Sequence, residues 1–386
     1  MTKPFTNGMT KATELTRSGK LQEATALIQA LLHSRPDDPA TTDTVIDGDF
    51  TRLAAPVADP VGQTKATRPR MRTDASRSGL AETLRRIAAG GMPGPAAVSR
   101  NAPVVPPGAC FLALTHATAQ GSRDYRLYVP AKRPEAPMPL VAMLHGCTQN
   151  PEDFATGTGM NALAEEFGWL IAYPAQPSGA NAQNCWNWFR PEDQARGRGE
   201  PALIAGLTQD ILRDHGGDPA RVYIAGLSAG GAAAAIMAEA YPDIFGAVGV
   251  HSGLPVGAAR DVASAFAAMR TGTPGKPRRS AVPTIAFHGL ADGTVHPKNG
   301  QAVVTQALKP QAGLRRSADQ GISADGRAFR RIRHSRPDGR TMVEYWEIDG
   351  AGHAWAGGQA AGSYTDPKGP DASREMLRFF LQHAQA

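Results

Sequence analysis

The stretch Arg221–Gly231 holds a β-rich run, Val222 to Ala225, then Gly226-Leu227-Ser228-Ala229-Gly230. An alanine-rich helical run, Ala232 to Ala240, follows. Strand, Gly-x-Ser-x-Gly and helix in that order are the context of a nucleophile elbow, which holds a serine at the tip of a tight turn. Gly226 and Gly230 relieve crowding at its flanks, and a helix N-terminus lies behind the serine. The bland alternative is a glycine-rich turn with an incidental serine. A serine hydroxyl is a poor nucleophile unaided, so the chain must also supply a base, an orienting acid and an oxyanion hole.

Later motifs offer those groups. Strand Pro283–Phe287 ends in His288-Gly289-Leu290-Ala291-Asp292, and Gly350-Ala351-Gly352-His353 follows the last strand. Ser228, Asp292 and His353 stand in the Ser…Asp…His order of α/β-hydrolases. In such a triad His353 takes the serine proton and returns it to the leaving alcohol, while Asp292 fixes its tautomer. His251, His288 and His296 compete for the base, and Asp349 competes for the acid. His353 is favoured because it is flanked by glycine and follows the last strand. Ala229, next after the nucleophile, is one expected oxyanion donor. Cys147 is the other, in the loop after strand Leu140–Leu144, with Thr148 as its alternative.

These residues need a scaffold. The chain from about Gly108 alternates strands and helices. Arg123–Val129 alternates like a half-exposed strand, and Pro139–Leu144 is a continuous apolar strand of the buried parallel type. Helix 161–167, strand 169–173, helix 202–215, strand 245–250, a helical stretch at 258–270 and a final helix at 372–383 continue the pattern. Runs 329–334 and 341–348 flank Arg336-Pro337-Asp338-Gly339 as a hairpin-like pair. The expected fold class is α/β, with a mainly parallel sheet covered on both faces and its site beyond the carboxyl ends of the strands.

The 386 residues exceed what this domain needs. Leu21, Ala24, Ile28 and Leu31 fall at helical spacing, so residues 1–33 read as an amphipathic helical extension with a fragmentary likeness to one tetratricopeptide repeat. Residues 34–107 are rich in Pro, Ala and Arg and read as a linker with a short helix at 80–89. The net charge of +6 is mild, and no basic patch interleaved with aromatics argues for nucleic acid. No apolar run approaches the ~18 residues of a membrane span. No metal-ligand spacing or phosphate loop is visible, so no cofactor or metal is expected.

Leu144-His145-Gly146-Cys147-Thr148-Gln149, Cys185-Trp186-Asn187-Trp188-Phe189, the serine pentapeptide, His288-Gly289 with Asp292, and Gly352-His353-Ala354-Trp355 together resemble the poly(3-hydroxybutyrate) depolymerase family of esterases. Feruloyl and acetylxylan esterases are near relatives. The resemblance covers residues 108–386 and implies an α/β-hydrolase fold, the triad Ser228, Asp292 and His353, and Cys147 as an oxyanion donor. It also implies a Cys147–Cys185 disulfide, for which two reduced thiols are the alternative. His145, Thr148, Trp186, Trp188 and Trp355 are the expected substrate-cleft residues. The implied substrate is a short-chain polyhydroxyalkanoate or its oligomers, with feruloyl, acetylxylan or general small esters as the alternative. A non-catalytic granule- or partner-binding protein is the reading from another class. No secretory signal is visible in the first residues, so a cytoplasmic location is expected, with secretion the alternative. The helix at 9–33 is a candidate anchor to a granule surface, and the oligomeric state is left open.

Overall fold

The computed structural model describes residues 102–119 and 121–385. The expected helix at 9–33 and the linker as far as residue 101 lie outside them. The described residues build one ten-stranded sheet. β1 (Cys110–Thr118) and β2 (Gly121–Val129) form an antiparallel pair at one edge. Next come β3 (Met138–Leu144), β4 (Leu170–Pro174), β5 (Gly217–Leu227), β6 (Ala247–His251) and β7 (Thr284–Gly289). β8 (Arg315–Ile322), β9 (Ala328–Ser335) and β10 (Thr341–Ile348) complete the sheet, and β11 (Trp355–Ala356) and β12 (Thr365–Asp366) pair separately. The spatial order is β1-β2-β4-β3-β5-β6-β7-β10-β9-β8. Strands from β4 to β10 in that order run parallel.

Side chains alternate between the two faces with the period of a strand. Leu140, Ala142 and Leu144 of β3 enter one core, and Val141 and Met143 enter the other. Helices cover both faces, so β3, β4, β6 and β7 are buried along their whole length, which is why they read as apolar runs. In chain order the helices are α1 (Pro151–Thr158), α2 (Met160–Phe167), α3 (Gly199–Asp214), α4 (Ala229–Ala240), α5 (Val262–Thr271), α6 (Lys298–Leu308) and α7 (Ala372–Phe380). No helix among the described residues is long and apolar enough to cross a membrane.

The strand order reverses between β3 and β5. The chain leaves β3 towards β4, then returns to place β5 on β3's other side. The loops after β3 and β5 therefore open a crevice between them, the usual ligand position in such sheets. At this crevice the turn between β5 and α4 touches the end of β3. A Cβ on Gly230 would stand 2.0 Å from the Leu144 carbonyl oxygen and 2.6 Å from that of His145. A Cβ on Gly226 would stand 2.4 Å from the Gly230 backbone.

Besides the short pair β11 and β12, four elements depart from the sequence reading. β1 and β8 were not expected: both are edge strands whose exposed faces dilute the apolar signal. β8 turns the expected hairpin of β9 and β10 into a three-stranded antiparallel extension. α1 follows the loop after β3 and owes its start to Asn150, whose side chain accepts from the Asp153 N–H. α6 lies between Asp292 and the extension, where glycine, glutamine and threonine blunt its amphipathic pattern.

The backbone contact at the elbow sets a prediction. In Gly230→Ala the new methyl meets carbonyl oxygens that no rotamer change moves, so the loss should reach or exceed ~3 kcal/mol. Gly179→Ala, where nothing lies within 4 Å, should change stability by less than ~0.5 kcal/mol. Urea unfolding of the two variants checks the difference.

Candidate active site

Ser228 is the single residue between β5 and α4. Its φ of 58° and ψ of −118° lie where non-glycine residues rarely go, a conformation that costs on the order of 1–3 kcal/mol and collects at functional sites. The site holds it there through a neighbour: the Ser228 N–H donates to the His251 carbonyl at 2.9 Å. The serine is 8% exposed. Its own N–H is thus spent, whereas Ala229 opens α4 with an N–H that the helical ladder does not use.

Asp292 and His353 come from adjacent strands. β7 and β10 pair in parallel, and their following loops are tied by Leu290 N–H to Ile348 O and by Ala291 N–H to Ala351 O, each at 2.9 Å. His353 Nδ1 lies 2.8 Å from Asp292 Oδ2. The other carboxylate oxygen accepts from the Thr294 and Val295 N–H groups at 2.9 and 2.8 Å. Burial would raise this carboxyl, but hydrogen bonds from His288 and His353 outweigh it and hold the group well below the usual carboxylate range. Asp292 is therefore an anion at any working pH. It accepts a hydrogen bond from the His353 Nδ1–H, which in the neutral imidazole leaves Nε2 with a lone pair. The imidazole keeps 10% of its surface open, so it can accept a proton from a hydroxyl and later give it up.

The competing groups are engaged elsewhere. His251 stacks on Phe287 and Trp355, and its Nε2 accepts from the Ala356 N–H at 3.0 Å. Burial, with repulsion from His288 and His353, lowers its pKa to about 3, so it stays neutral. It clamps two loops at once, since its carbonyl holds Ser228 and its ring holds the chain three residues beyond His353. His296 Nδ1 accepts from the Lys298 N–H at 3.2 Å. Asp349 lines an outer groove with Leu290, Ile322 and Phe329. His288 is taken up below.

Behind β3, Thr148 adopts a φ of 67° and spends its N–H on the Gln183 carbonyl at 2.7 Å. The Cys147 N–H has no partner among the described residues, so of the two alternatives it is the one free to donate to an oxyanion. Cys147 is joined to Cys185 by a disulfide, with Cα atoms 4.2 Å apart. His145 stays neutral because burial lowers its pKa to about 4. Its Nδ1–H donates to the Gly146 carbonyl, and its Nε2 accepts from the Gln176 N–H.

The tryptophan expectations need correction. Trp186 is 0% exposed, under the Arg123 guanidinium, and its Nε1–H donates to the His145 carbonyl at 3.0 Å. Trp355 is 1% exposed and donates to Ser373 Oγ. Trp188 is 5% exposed within the same core as Trp186. A glycine- and asparagine-rich loop suggests an open cleft, but these rings pack inward and brace the loops, and buried His145 does likewise. Of the five expected cleft residues Thr148 stays partly open, and its hydroxyl meets Tyr364 Oη at 3.2 Å. Tyr364, 43% exposed at a φ of 52°, was not singled out, because nothing in its polar sequence surroundings marks it.

A strained serine at the tip of β5, with a buried aspartate–histidine pair after β7 and β10, defines an α/β-hydrolase. An acetyl xylan esterase from Aspergillus awamori has the same fold, with a TM-score of 0.52 at 19% identity over 67% of this chain and 94% of that one. Residues 123–321 match the family described as Esterase PHB depolymerase, over half of the sequence. The chain belongs to that family. It is 33% identical over 250 residues to poly(3-hydroxyalkanoate) depolymerase C of Paucimonas lemoignei, spanning 61% of this chain but only 59% of that protein. It is 30% identical over 200 residues to feruloyl esterase B of Thermothelomyces thermophilus, 47% of this chain and 67% of that one.

The disulfide anchors the loop that carries the Cys147 N–H. Reducing it, or substituting Cys185→Ser, should lower kcat on p-nitrophenyl butyrate by roughly tenfold to a hundredfold, short of the 10²–10³ for outright loss of an oxyanion donor. Mass-spectrometric thiol counting follows the reduction, with Cys110 free throughout. An unchanged kcat would show that the bond does not position the donor.

Proposed function

We propose that this chain is a serine carboxylesterase that cleaves short-chain hydroxyalkanoate polyester, as amorphous polymer or oligomers. The observation that carries the reading is the buried Asp292–His353 pair at 2.8 Å, which follows strand ends of the sheet whose β5 ends in a serine in a strained turn. Ser228 Oγ attacks the ester carbonyl while His353 Nε2 takes its proton. The carbonyl oxygen becomes an oxyanion facing the N–H groups of Cys147 and Ala229. Asp292 stabilises the imidazolium. His353 then protonates the leaving alkoxide as the C–O bond breaks, leaving an acyl-serine. Water, deprotonated by His353, attacks the acyl carbonyl, and the serine leaves with the proton.

The substrate class rests on the longer and higher-identity match, to a poly(3-hydroxyalkanoate) depolymerase. Tyr364, beside Thr148, is 43% exposed; its ring is the large exposed face at the rim. It offers apolar surface suited to a chain of weakly polar ester units. The Cys147–Cys185 bond favours the secreted alternative over the cytoplasmic one, because cytosolic thiols are kept reduced. Anchoring to granules through residues 1–33 is a further part of the proposal.

Ser228→Ala should lower kcat by on the order of 10⁴–10⁶, and a fluorophosphonate probe should label Ser228 alone. Labelling of another serine refutes the triad. On substrate, Tyr364→Ala should slow hydroxybutyrate oligomers roughly tenfold more than p-nitrophenyl acetate. Turnover of methyl ferulate with none of the oligomers would replace the polyester reading with the feruloyl one. A truncated protein starting at Ala102 should keep its rate on soluble esters and lose attack on particulate polymer. Equal retention on both would remove the anchor.

A further inference from the structure

His288 opens the motif that ends in Asp292, and the reaction above leaves it no task. In the parallel register of β7 and β10, His288 shares a face with Tyr345 and Glu347, and α6 packs against both strands. The His288 side chain and the Asp292 carboxylate are both fully buried. His288 Nε2 lies 2.8 Å from the Val295 carbonyl and 3.4 Å from Asp292 Oδ2. Both neighbours are acceptors, so Nε2 carries a ring proton, and in the neutral imidazole Nδ1 then carries the lone pair.

That lone pair meets no donor among the described residues, and the buried Tyr345 hydroxyl has no partner either. Such atoms are rare in native interiors and call for an explanation. These two are neighbours. A Cβ built on Gly300, in the first turn of α6, would stand 2.6 Å from His288 Nδ1 and 2.8 Å from Tyr345 Oη. The two atoms are therefore no farther apart than those two lengths end to end, a span that one water bridges. Gly300 keeps the gap open, because any side chain there would fill it. Burial, with Glu347 adding to it, pushes the Tyr345 phenol well above its ordinary range, so the hydroxyl is a donor.

We propose that one water bridges the Tyr345 hydroxyl to His288 Nδ1, accepting from the phenol and donating to the ring, and that His288, locked in this tautomer, is a positioning residue for Asp292. Its Nε2–H faces the same carboxylate oxygen that accepts from His353. That oxygen is thus held from behind while it steers the base in front. The inference rests on the Ser228–His353–Asp292 reading.

Tyr345→Phe removes the hydroxyl and nothing else. It should lower kcat on p-nitrophenyl butyrate roughly tenfold at unchanged KM, because a slightly misplaced acid misplaces the base. It should also lower Tm, since the water that donates to Nδ1 loses the phenol. If the hydroxyl is an idle buried group, its removal raises Tm and leaves kcat unchanged, which overturns the proposal. His288→Gln, whose amide N–H reaches towards the same acceptors, should retain more activity than His288→Leu, and equal loss counts against positioning. A readout independent of turnover is the ¹⁵N spectrum of histidine-labelled protein. One unprotonated ring nitrogen, assigned to His288 by its absence in His288→Gln, should shift in Tyr345→Phe, and an unmoved resonance overturns the contact. Ser228→Ala separates the two readings: its turnover judges the triad, while the nitrogen shift and Tm judge the Tyr345–His288 link.

Discussion

The backbone of the serine turn lies against the end of β3 with no room for a side chain between them. Gly226 and Gly230 make this contact possible. Because it is backbone on backbone, it fixes the positions of two candidate catalytic elements relative to one another. The turn carries Ser228 and Ala229, and the end of β3 carries the loop to Cys147. In the proposed reaction a nucleophile and two oxyanion donors must agree to within a fraction of an ångström for an electrostatic contribution to be large. Here the agreement does not depend on side-chain packing, which could relax. The strain at Ser228 is sustained by the same contact and by the bond from its N–H to His251.

Around this contact the protein sorts four histidines by burial and hydrogen bonding. His145, His251 and His288 are each almost fully enclosed, and His353 retains some exposure. Enclosure disfavours the charged form, so His145 and His251 are neutral struts whose ring nitrogens are committed to fixed partners. Asp292 is treated in the opposite way. It is just as deeply placed, yet two backbone N–H groups and two imidazoles keep it ionised. The contrast leaves His353 as the partly open ring of the four, hydrogen-bonded to a buried anion.

The loops that complete the crevice are held by unlike means. The disulfide and the buried Trp186 tie the 181–190 loop to the end of β3. A hydrogen-bonded set of Gln149, Asp153 and Ser363 ties the 359–366 loop to α1 and brings Tyr364 to the rim. His251 ties the elbow to β11. Each tie joins segments more than twenty residues apart, so the rim is rigid although little of it is regular structure.

Local pattern in the sequence determined much of this. Continuous apolar runs specify the buried parallel strands, because both faces of the sheet are covered. Gly-x-Ser-x-Gly between a strand and a helix specifies the elbow, because only glycine tolerates that approach. The order Ser228, Asp292, His353 specified a candidate triad, and the preceding Gly352 and the place after the last strand set His353 apart from its competitors. Tertiary structure decided what depends on neighbours far along the chain. It spent the Thr148 N–H on the Gln183 carbonyl, which removes that donor. It turned Trp186, Trp188 and Trp355 inward, since composition records an aromatic ring but not the surface that will cover it. It brought Tyr364 to the rim and placed Tyr345 behind His288 through a strand register that no local motif encodes. The edge strands β1 and β8 escaped for a related reason: an edge strand exposes one face and one side, so its residues need not be apolar.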